Sequence, residues 1–307
     1  MEDLLDQYIY HLKAERNYSQ YTLRNYSTDI LGFFHFLRAS GVESLTDVDH
    51  LTVRQYLGWL LERGVVRASV SRKMSALRSF FRYANDEGML ATDPMSKISG
   101  PKGEKRLPSF LTSEEIISLL KAPDLSTPQG LRDLAILEML YAAGLRVSEI
   151  VSLDINRVDL EARQIRVWGK GSKERIVLMG EPAARVLEQY LALGRPKLLG
   201  DGNTSTLFIN RYGQRIVQRR IQHIIKKYAR QAGISGKVSP HMLRHTFATH
   251  MLDGGADLRV VQELLGHANL SSTQIYTHVT RSQMRSSYLE AHPRSKEEKR
   301  TVKTDQT

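Results

Sequence analysis

Between Ser99 and Pro108 the chain loses all hydrophobic periodicity. The run Ser99-Gly100-Pro101-Lys102-Gly103-Glu104-Lys105-Arg106-Leu107-Pro108 mixes glycine, proline and charge, the composition of an exposed linker. Directly after it, Thr112-Ser113-Glu114-Glu115 reads as a capping box that starts a new helix. A break of this kind argues against one continuous core. It divides the 307 residues into two domains of ordinary size. The expected layout is a helical domain over 1–98, a linker over 99–109 and a second domain over 110–292. A charged, apolar-poor tail over 293–307 is expected to be disordered.

The first domain reads as four helices. Leu4, Leu5, Tyr8, Ile9 and Leu12 recur at helical spacing. Leu23, Tyr26, Ile30, Phe33, Phe34 and Leu37 form one broad face over Thr22–Ser40, and Gly41 ends it as a C-cap would. Leu51–Arg63 is a third helix, stopped by Gly64. The fourth, Ala68–Glu87, carries Met74, Leu77, Phe80 and Phe81 as its apolar stripe. Arg67, Arg72, Lys73, Arg78 and Arg82 accompany that stripe with no acid before Asp86, which suggests a surface for a phosphate backbone. A solvated charged face is the simpler alternative.

The second domain is mixed. An apolar helix over Leu131–Ala143 ends at Gly144, followed by Arg146 and Glu149. The period then changes to two in Ile165-Arg166-Val167-Trp168 and Arg175-Ile176-Val177-Leu178. Gly169-Lys170-Gly171-Ser172-Lys173 between them reads as a hairpin loop with Lys170 at its tip. Helical patterns return over Glu181–Leu193, Ile216–Ala232, His241–Leu252 and Arg281–Ala291. The fold class is therefore mainly α, with a small antiparallel sheet in the second domain.

Composition narrows the function. There is no cysteine, which removes a disulfide framework, a thiol nucleophile and a thiolate-bound metal. No apolar run is long enough to span a membrane, and Met1-Glu2-Asp3 opens an acidic amphipathic segment without a signal-peptide core, so a cytoplasmic setting is expected. Residues 1–100 carry twelve basic and twelve acidic side chains. The whole net charge of +11 therefore falls on residues 101–307 and favours a polyanionic partner such as nucleic acid.

The chemistry concentrates between Pro240 and Thr280. His241, Arg244 and His245 share one short stretch, His267 follows Gly266, and Tyr276 lies just beyond. Arginine offers a planar fork that matches two phosphate oxygens. Histidine passes protons near neutral pH, and tyrosine can act as a covalent nucleophile. The set suggests a site that grips a phosphodiester and attacks it with a phenol oxygen. His241 and His245 could instead share a helix face in a zinc site, but that pattern needs a glutamate directly after the first histidine, where Met242 stands.

With these residues in view, the chain resembles the tyrosine recombinases, in particular the Xer type. Five motifs match in order: Gly144-Leu145-Arg146-Val147-Ser148-Glu149, Gly169-Lys170-Gly171-Ser172-Lys173, His241 through His250, Leu265-Gly266-His267 and Tyr276-Thr277-His278. The resemblance implies a SAM-like, core-binding first domain and a catalytic second domain. It implies that Tyr276 attacks the scissile phosphate to form a 3′-phosphotyrosyl link, while Arg146 and Arg244 clamp the non-bridging oxygens. Lys170 would protonate the leaving 5′ oxygen, His241 would move the tyrosine proton and His267 would bond the phosphate. Glu149 would hold Arg146 or His241 in place, or be a plain helix-surface residue. Lys173 is a further candidate DNA contact beside Arg67, Arg72, Lys73, Arg78 and Arg82. No metal or other cofactor is required, since two arginines and a lysine supply the electrostatics. The implied partners are double-stranded DNA, a tetramer formed with itself or a paralogue, and a septal DNA translocase; no membrane is involved. The apolar face of Met284, Tyr288 and Leu289 would dock on a neighbouring catalytic domain, with docking on its own domain as the simpler alternative. His245, His250 and His278 fit the pattern but are best read as packing or capping residues.

Three alternatives stand beside this reading. A metal-dependent nuclease would use His241, His245 and His267. A DNA-binding regulator would carry the same fold with a dead site. A phage or transposon integrase would share the chemistry and differ in biological role.

Overall fold

The computed structural model describes residues 1–16, 18–100, 110–168, 174–266 and 280–295. The chain forms two compact units, Met1–Arg106 and Leu107–Thr307.

In the first unit α1 (Glu2–Ala14), α2 (Gln20–Ala39), α3 (His50–Glu62) and α4 (Arg67–Asp86) enclose one core. Ser19 caps α2 by accepting from the Thr22 N–H, and Asp49 caps α3 by accepting from Leu51 and Thr52. Phe33, Phe34, Phe80 and Phe81 are fully buried and meet edge to face with Tyr8 and Tyr56.

The second unit is organised around α6 (Pro128–Ala142), which is buried over its whole length from Gly130. Its charges are paired inside: Arg132 bonds Asp133 and the Ile209 carbonyl, and Asp133 also accepts from Tyr228. Around it stand α5 (Ser113–Lys121), α7 (Val147–Ser152), α8 (Glu181–Gln189), a π turn at Tyr190–Gly194, α9 (Arg195–Leu199) and α10 (Gln218–Gln231). The expected capping box is present: Thr112 accepts from the Glu115 N–H, and Glu115 accepts from the Thr112 N–H.

The antiparallel sheet has the order β1 (Val158–Asp159), β2 (Gln164–Trp168), β3 (Glu174–Leu178). Ile165 faces Val177 and Val167 faces Arg175. Side chains alternate across a strand, so Ile165, Val167, Val177 and Arg175 share the inward face. The loop expected between β2 and β3 lies outside the described residues.

A second apolar cluster joins α11 (Pro240–Asp253), α12 (Leu258–Leu265) and α13 (Arg281–Ala291). The C-terminal helix therefore docks on its own domain, the simpler of the two arrangements considered from sequence. The Tyr288 hydroxyl donates to the Ala142 carbonyl at 2.9 Å. Gly254 abuts the Ala291 carbonyl so closely that a Cβ there would stand 2.1 Å from it. Pro293, Arg294 and Ser295 were expected in a loose tail. Instead they continue the packing: Arg294 pairs with Glu138, and Ser295 Oγ donates to the Leu289 carbonyl. The remainder of the tail, 296–307, lies outside the described residues.

Candidate active site

Gly144 follows the C-terminal end of α6 with φ of +57°, and an ideal Cβ there would meet Phe247 at 2.7 Å. Both the backbone conformation and the close approach of α11 require glycine. The turn delivers Arg146 to the N-cap of α7. There the Arg146 N–H donates to Glu149 Oε2 at 2.8 Å and its guanidinium donates to Glu149 Oε1 at 2.9 Å. A second guanidinium nitrogen donates to the Gly266 carbonyl at 3.2 Å. The Arg146 side chain remains 35% exposed although both terminal nitrogens have partners.

Arg244 lies in the second turn of α11 and is 9% exposed. Its two terminal nitrogens donate to the carbonyls of Gly144 and Leu265. Leu265 ends α12 and Gly266 follows in the left-handed conformation, φ +64°. The carbonyl end of α12 therefore points at both arginines, the end of a helix that favours cations. Burial and the neighbouring charges of Arg146 and Arg175 lower the Arg244 pKa to about 10 despite Glu149, and it stays protonated at neutral pH.

Glu149 is 5% exposed and pairs with the Arg146 guanidinium, while Arg244 feels it only through its charge. Burial pushes its pKa up. The hydrogen bonds from Arg175 and from the Arg146 N–H outweigh burial and hold it below the usual carboxylate range. Glu149 is thus no helix-surface residue, and it touches Arg146 rather than His241.

Arg175 was not singled out from the sequence. Its guanidinium donates to both Glu149 oxygens, at 2.7 and 3.0 Å. The signal was present: a cation stood at an inward position of an alternating strand, where a charge needs a buried partner.

His241 is exposed at the start of α11, and His245 is half-buried one turn on. His250 is buried and its Nδ1 lies 3.0 Å from the Tyr141 hydroxyl, a packing role. Lys170, Lys173, His267, Tyr276 and His278 lie outside the described residues. Among the described residues no group of three or more metal-binding side chains comes together.

In the first unit, Arg67 and Arg82 are exposed. Arg72 and Lys73 both pair with the fully buried Asp29 of α2, and Arg78 donates to the Ile98 carbonyl. Three of the five candidate DNA contacts therefore also hold the unit together. A further basic surface, outside the candidate contacts named from the sequence, lies on α10. There Arg219, Arg220, Lys226, Lys227 and Arg230 are exposed and no acid occurs.

Residues 109–283 match the Phage integrase family, and residues 5–88 match its N-terminal SAM-like domain. The chain belongs to the phage integrase family. As a tyrosine recombinase it is an enzyme that cuts and rejoins DNA, which sets aside the metal-dependent nuclease. It is 45% identical to the tyrosine recombinase XerC of Oceanobacillus iheyensis over 96% of this chain and 97% of the relative. It is 41% identical to the tyrosine recombinase XerD of Staphylococcus epidermidis over 96% of this chain and all of the relative. Among solved structures it is similar to the XerH recombinase bound to its difH substrate before cleavage. That match has a TM-score of 0.65 and 26% identity, and covers 92% of this chain and 83% of that one. The fold also matches a lambda integrase tetramer bound to a Holliday junction, with a TM-score of 0.68 and 20% identity over 91% and 80% of the two chains.

Among the described residues no helix is long and apolar enough to cross a membrane.

Proposed function

We propose that this recombinase is of the Xer type, resolving joined chromosomes or plasmids through a 3′-phosphotyrosyl intermediate. The observation that carries the reading is the cluster of Arg146, Arg175 and Arg244 near Glu149. Among the described residues, Glu149 bonds Arg146 and Arg175 directly and acts on Arg244 only through its charge, so three guanidinium groups stand against one carboxylate and the cluster keeps a net positive charge that an anion would relieve. Two of the three are held by main-chain carbonyls and not by further acids, which leaves their charge available.

In this reading Arg146 and Arg244 take the two non-bridging oxygens of the scissile phosphate, where charge builds in the transition state. Tyr276 Oη attacks phosphorus and gives up its proton, and His241 takes that proton. The P–O5′ bond breaks, and Lys170 protonates the departing oxygen. A lysine ordinarily titrates near 10.4 and is a weak acid, so this role calls for neighbouring positive charge to favour the release. His267 bonds the phosphate. The phosphotyrosyl ester conserves the bond energy, and an incoming 5′-hydroxyl reverses the steps to rejoin the strand without ATP.

The implied partners are double-stranded DNA and three further copies, its own or a paralogue's, with α13 released from its own domain to reach a neighbour. The exposed bases of α10, with Arg67 and Arg82, offer phosphate contacts. A cytoplasmic setting and a translocase at the septum belong to this same reading. Its relatives named XerC and XerD favour it over an integrase role.

The test is a nicked suicide duplex carrying a resolution site from the host chromosome. Wild-type protein should form a covalent protein–DNA adduct, undiminished by EDTA and with a free 5′-hydroxyl end. Cleavage that leaves free ends and no adduct would overturn the proposal.

A further inference from the structure

Arg175 has an arrangement that the proposed chemistry does not use directly. It sits on the inward face of β3, opposite Val167, and its side chain is 15% exposed. A guanidinium in such a position is costly unless paired; its Nε has no hydrogen-bond partner among the described residues, so the pairing rests on the terminal nitrogens. Its two terminal nitrogens take the two oxygens of Glu149, at 2.7 and 3.0 Å. Those same oxygens take the guanidinium and the N–H of Arg146, at 2.9 and 2.8 Å. Each carboxylate oxygen therefore receives two donors, and the orientation of Glu149 is set from both sides.

The stem of Arg175 reaches a second support of Arg146. An ideal Cβ on Gly266 would meet Arg175 Cδ and Nε, each at 2.8 Å. Gly266 is in turn the residue whose carbonyl accepts from Arg146 at 3.2 Å. One side chain thus touches both groups that fix the Arg146 fork. In the chain it follows the 169–173 loop by two residues, and Gly266 directly precedes His267.

We propose that Arg175 is a positioning residue for the strand-cleavage reaction: by sharing Glu149 it holds the Arg146 fork in register and keeps that carboxylate from neutralising it. The inference rests on the reading of Arg146 as a phosphate clamp. Without Arg175, the full charge of Glu149 turns on Arg146, and the pair closes into a two-point contact that competes with phosphate. Lysine keeps the charge but reaches the carboxylate as a point donor and not as a fork. Methionine keeps much of the stem and loses the charge.

The experiment compares wild type with Arg175→Lys, Arg175→Met, Glu149→Gln and the Arg175→Met/Glu149→Gln double variant. The substrate is a nicked suicide duplex at saturating concentration. Gel shift reads DNA binding, single-turnover adduct formation reads cleavage, and thermal melting confirms folding. Orienting groups one layer removed from a reacting centre are typically worth about 10- to 100-fold. Arg175→Met should therefore lose about that much cleavage, with DNA affinity within about twofold of wild type. Arg175→Lys should fall between, and it carries the test if the methionine variant does not fold. The distinctive outcome lies in the double variant. Removing the charge of Glu149 should recover part of the loss from Arg175→Met, because the unopposed carboxylate causes that loss. A purely structural Arg175 predicts that the two losses multiply or that melting and cleavage fall together; either result overturns the proposal, as does wild-type cleavage by a folded Arg175→Lys and Arg175→Met. Arg146→Lys run alongside separates the two layers, since its cleaving at the wild-type rate removes the clamp itself.

Discussion

Gly254 offers a clean way to test how firmly the C-terminal helix is seated. Its φ of −75° is open to any residue, so Gly254→Ala introduces no backbone strain. What it introduces is a methyl group 2.1 Å from the Ala291 carbonyl oxygen. Ordinary contact begins near 3.4 Å, so α13 must retreat by about 1.3 Å or leave. Leaving forfeits the burial of Tyr288, about 2 kcal/mol for a large apolar side chain, and its bond to the Ala142 carbonyl, about 1 kcal/mol. Freed chain entropy offsets part of this, which leaves a net cost of about 1–3 kcal/mol. Amide exchange read peptide by peptide is the assay. Exchange over Arg281–Ala291 should accelerate about 10- to 100-fold, while α6 and the first unit keep their protection. Unchanged protection over α13 would show that the close contact with Gly254 does not seat the helix, and the reasoning would fail.

Acid should loosen the same helix. His292 is buried against the rings of Tyr141, Phe247 and Tyr288, with His250 and Arg294 as its charged or titratable neighbours. Burial, with lesser contributions from His250 and Arg294, pushes its pKa down to about 3 from an ordinary 6.5. The packed state holds the neutral ring, so docking is fully favourable above about pH 6.5 and weakens as pH falls towards 3, by about 1.4 kcal/mol at pH 5.5. Burial shifts His250 the same way. Protection of α13 that is equal at pH 7.5 and pH 5.5 would contradict this. Arg244→Lys keeps a charge but loses the fork that spans the Gly144 and Leu265 carbonyls, and should lower cleavage about 10²-fold with binding retained. Cleavage near the wild-type rate would place Arg244 off the phosphate. Lys170→Ala should recover cleavage on a duplex with a 5′-bridging phosphorothiolate, whose sulfur leaves without a proton. Failure to recover, with binding intact, would reject the acid role.

Local signals carried much of this structure. The capping box at Thr112, the glycine ending α2 and the paired period-two segments of β2 and β3 are each written within a few residues, and each is found where it was expected. Short elements were less legible. The six-residue α7, the two-residue β1 and the eight-residue α12 were not read as elements, because packing against the rest of the unit decides segments that brief. In the site, Arg146, Glu149 and Arg244 stood out as spaced motifs, and the structure brings these three together. Arg175 does not, since an alternating strand shows its period and gives no local sign of the partner that its charge finds. Asp29 was missed for a different reason: its partners Arg72 and Lys73 lie more than forty residues away, beyond the reach of any local pattern. The same long-range pairing turned two candidate DNA contacts partly into structural groups. Pro293–Ser295 were read as tail from their polarity, yet Glu138 on the buried α6 gives Arg294 a partner.

The central claim is that Tyr276 becomes covalently joined to DNA while Arg146 and Arg244 hold the scissile phosphate. Trapping the protein on a nicked suicide duplex, digesting the adduct and sequencing the modified peptide by mass spectrometry tests it most directly. The account predicts a 3′-phosphoryl group on Tyr276 and no adduct from Tyr276→Phe, which should bind the duplex as wild type does. A nucleotide carried by any other residue, or an adduct formed by Tyr276→Phe, would contradict it.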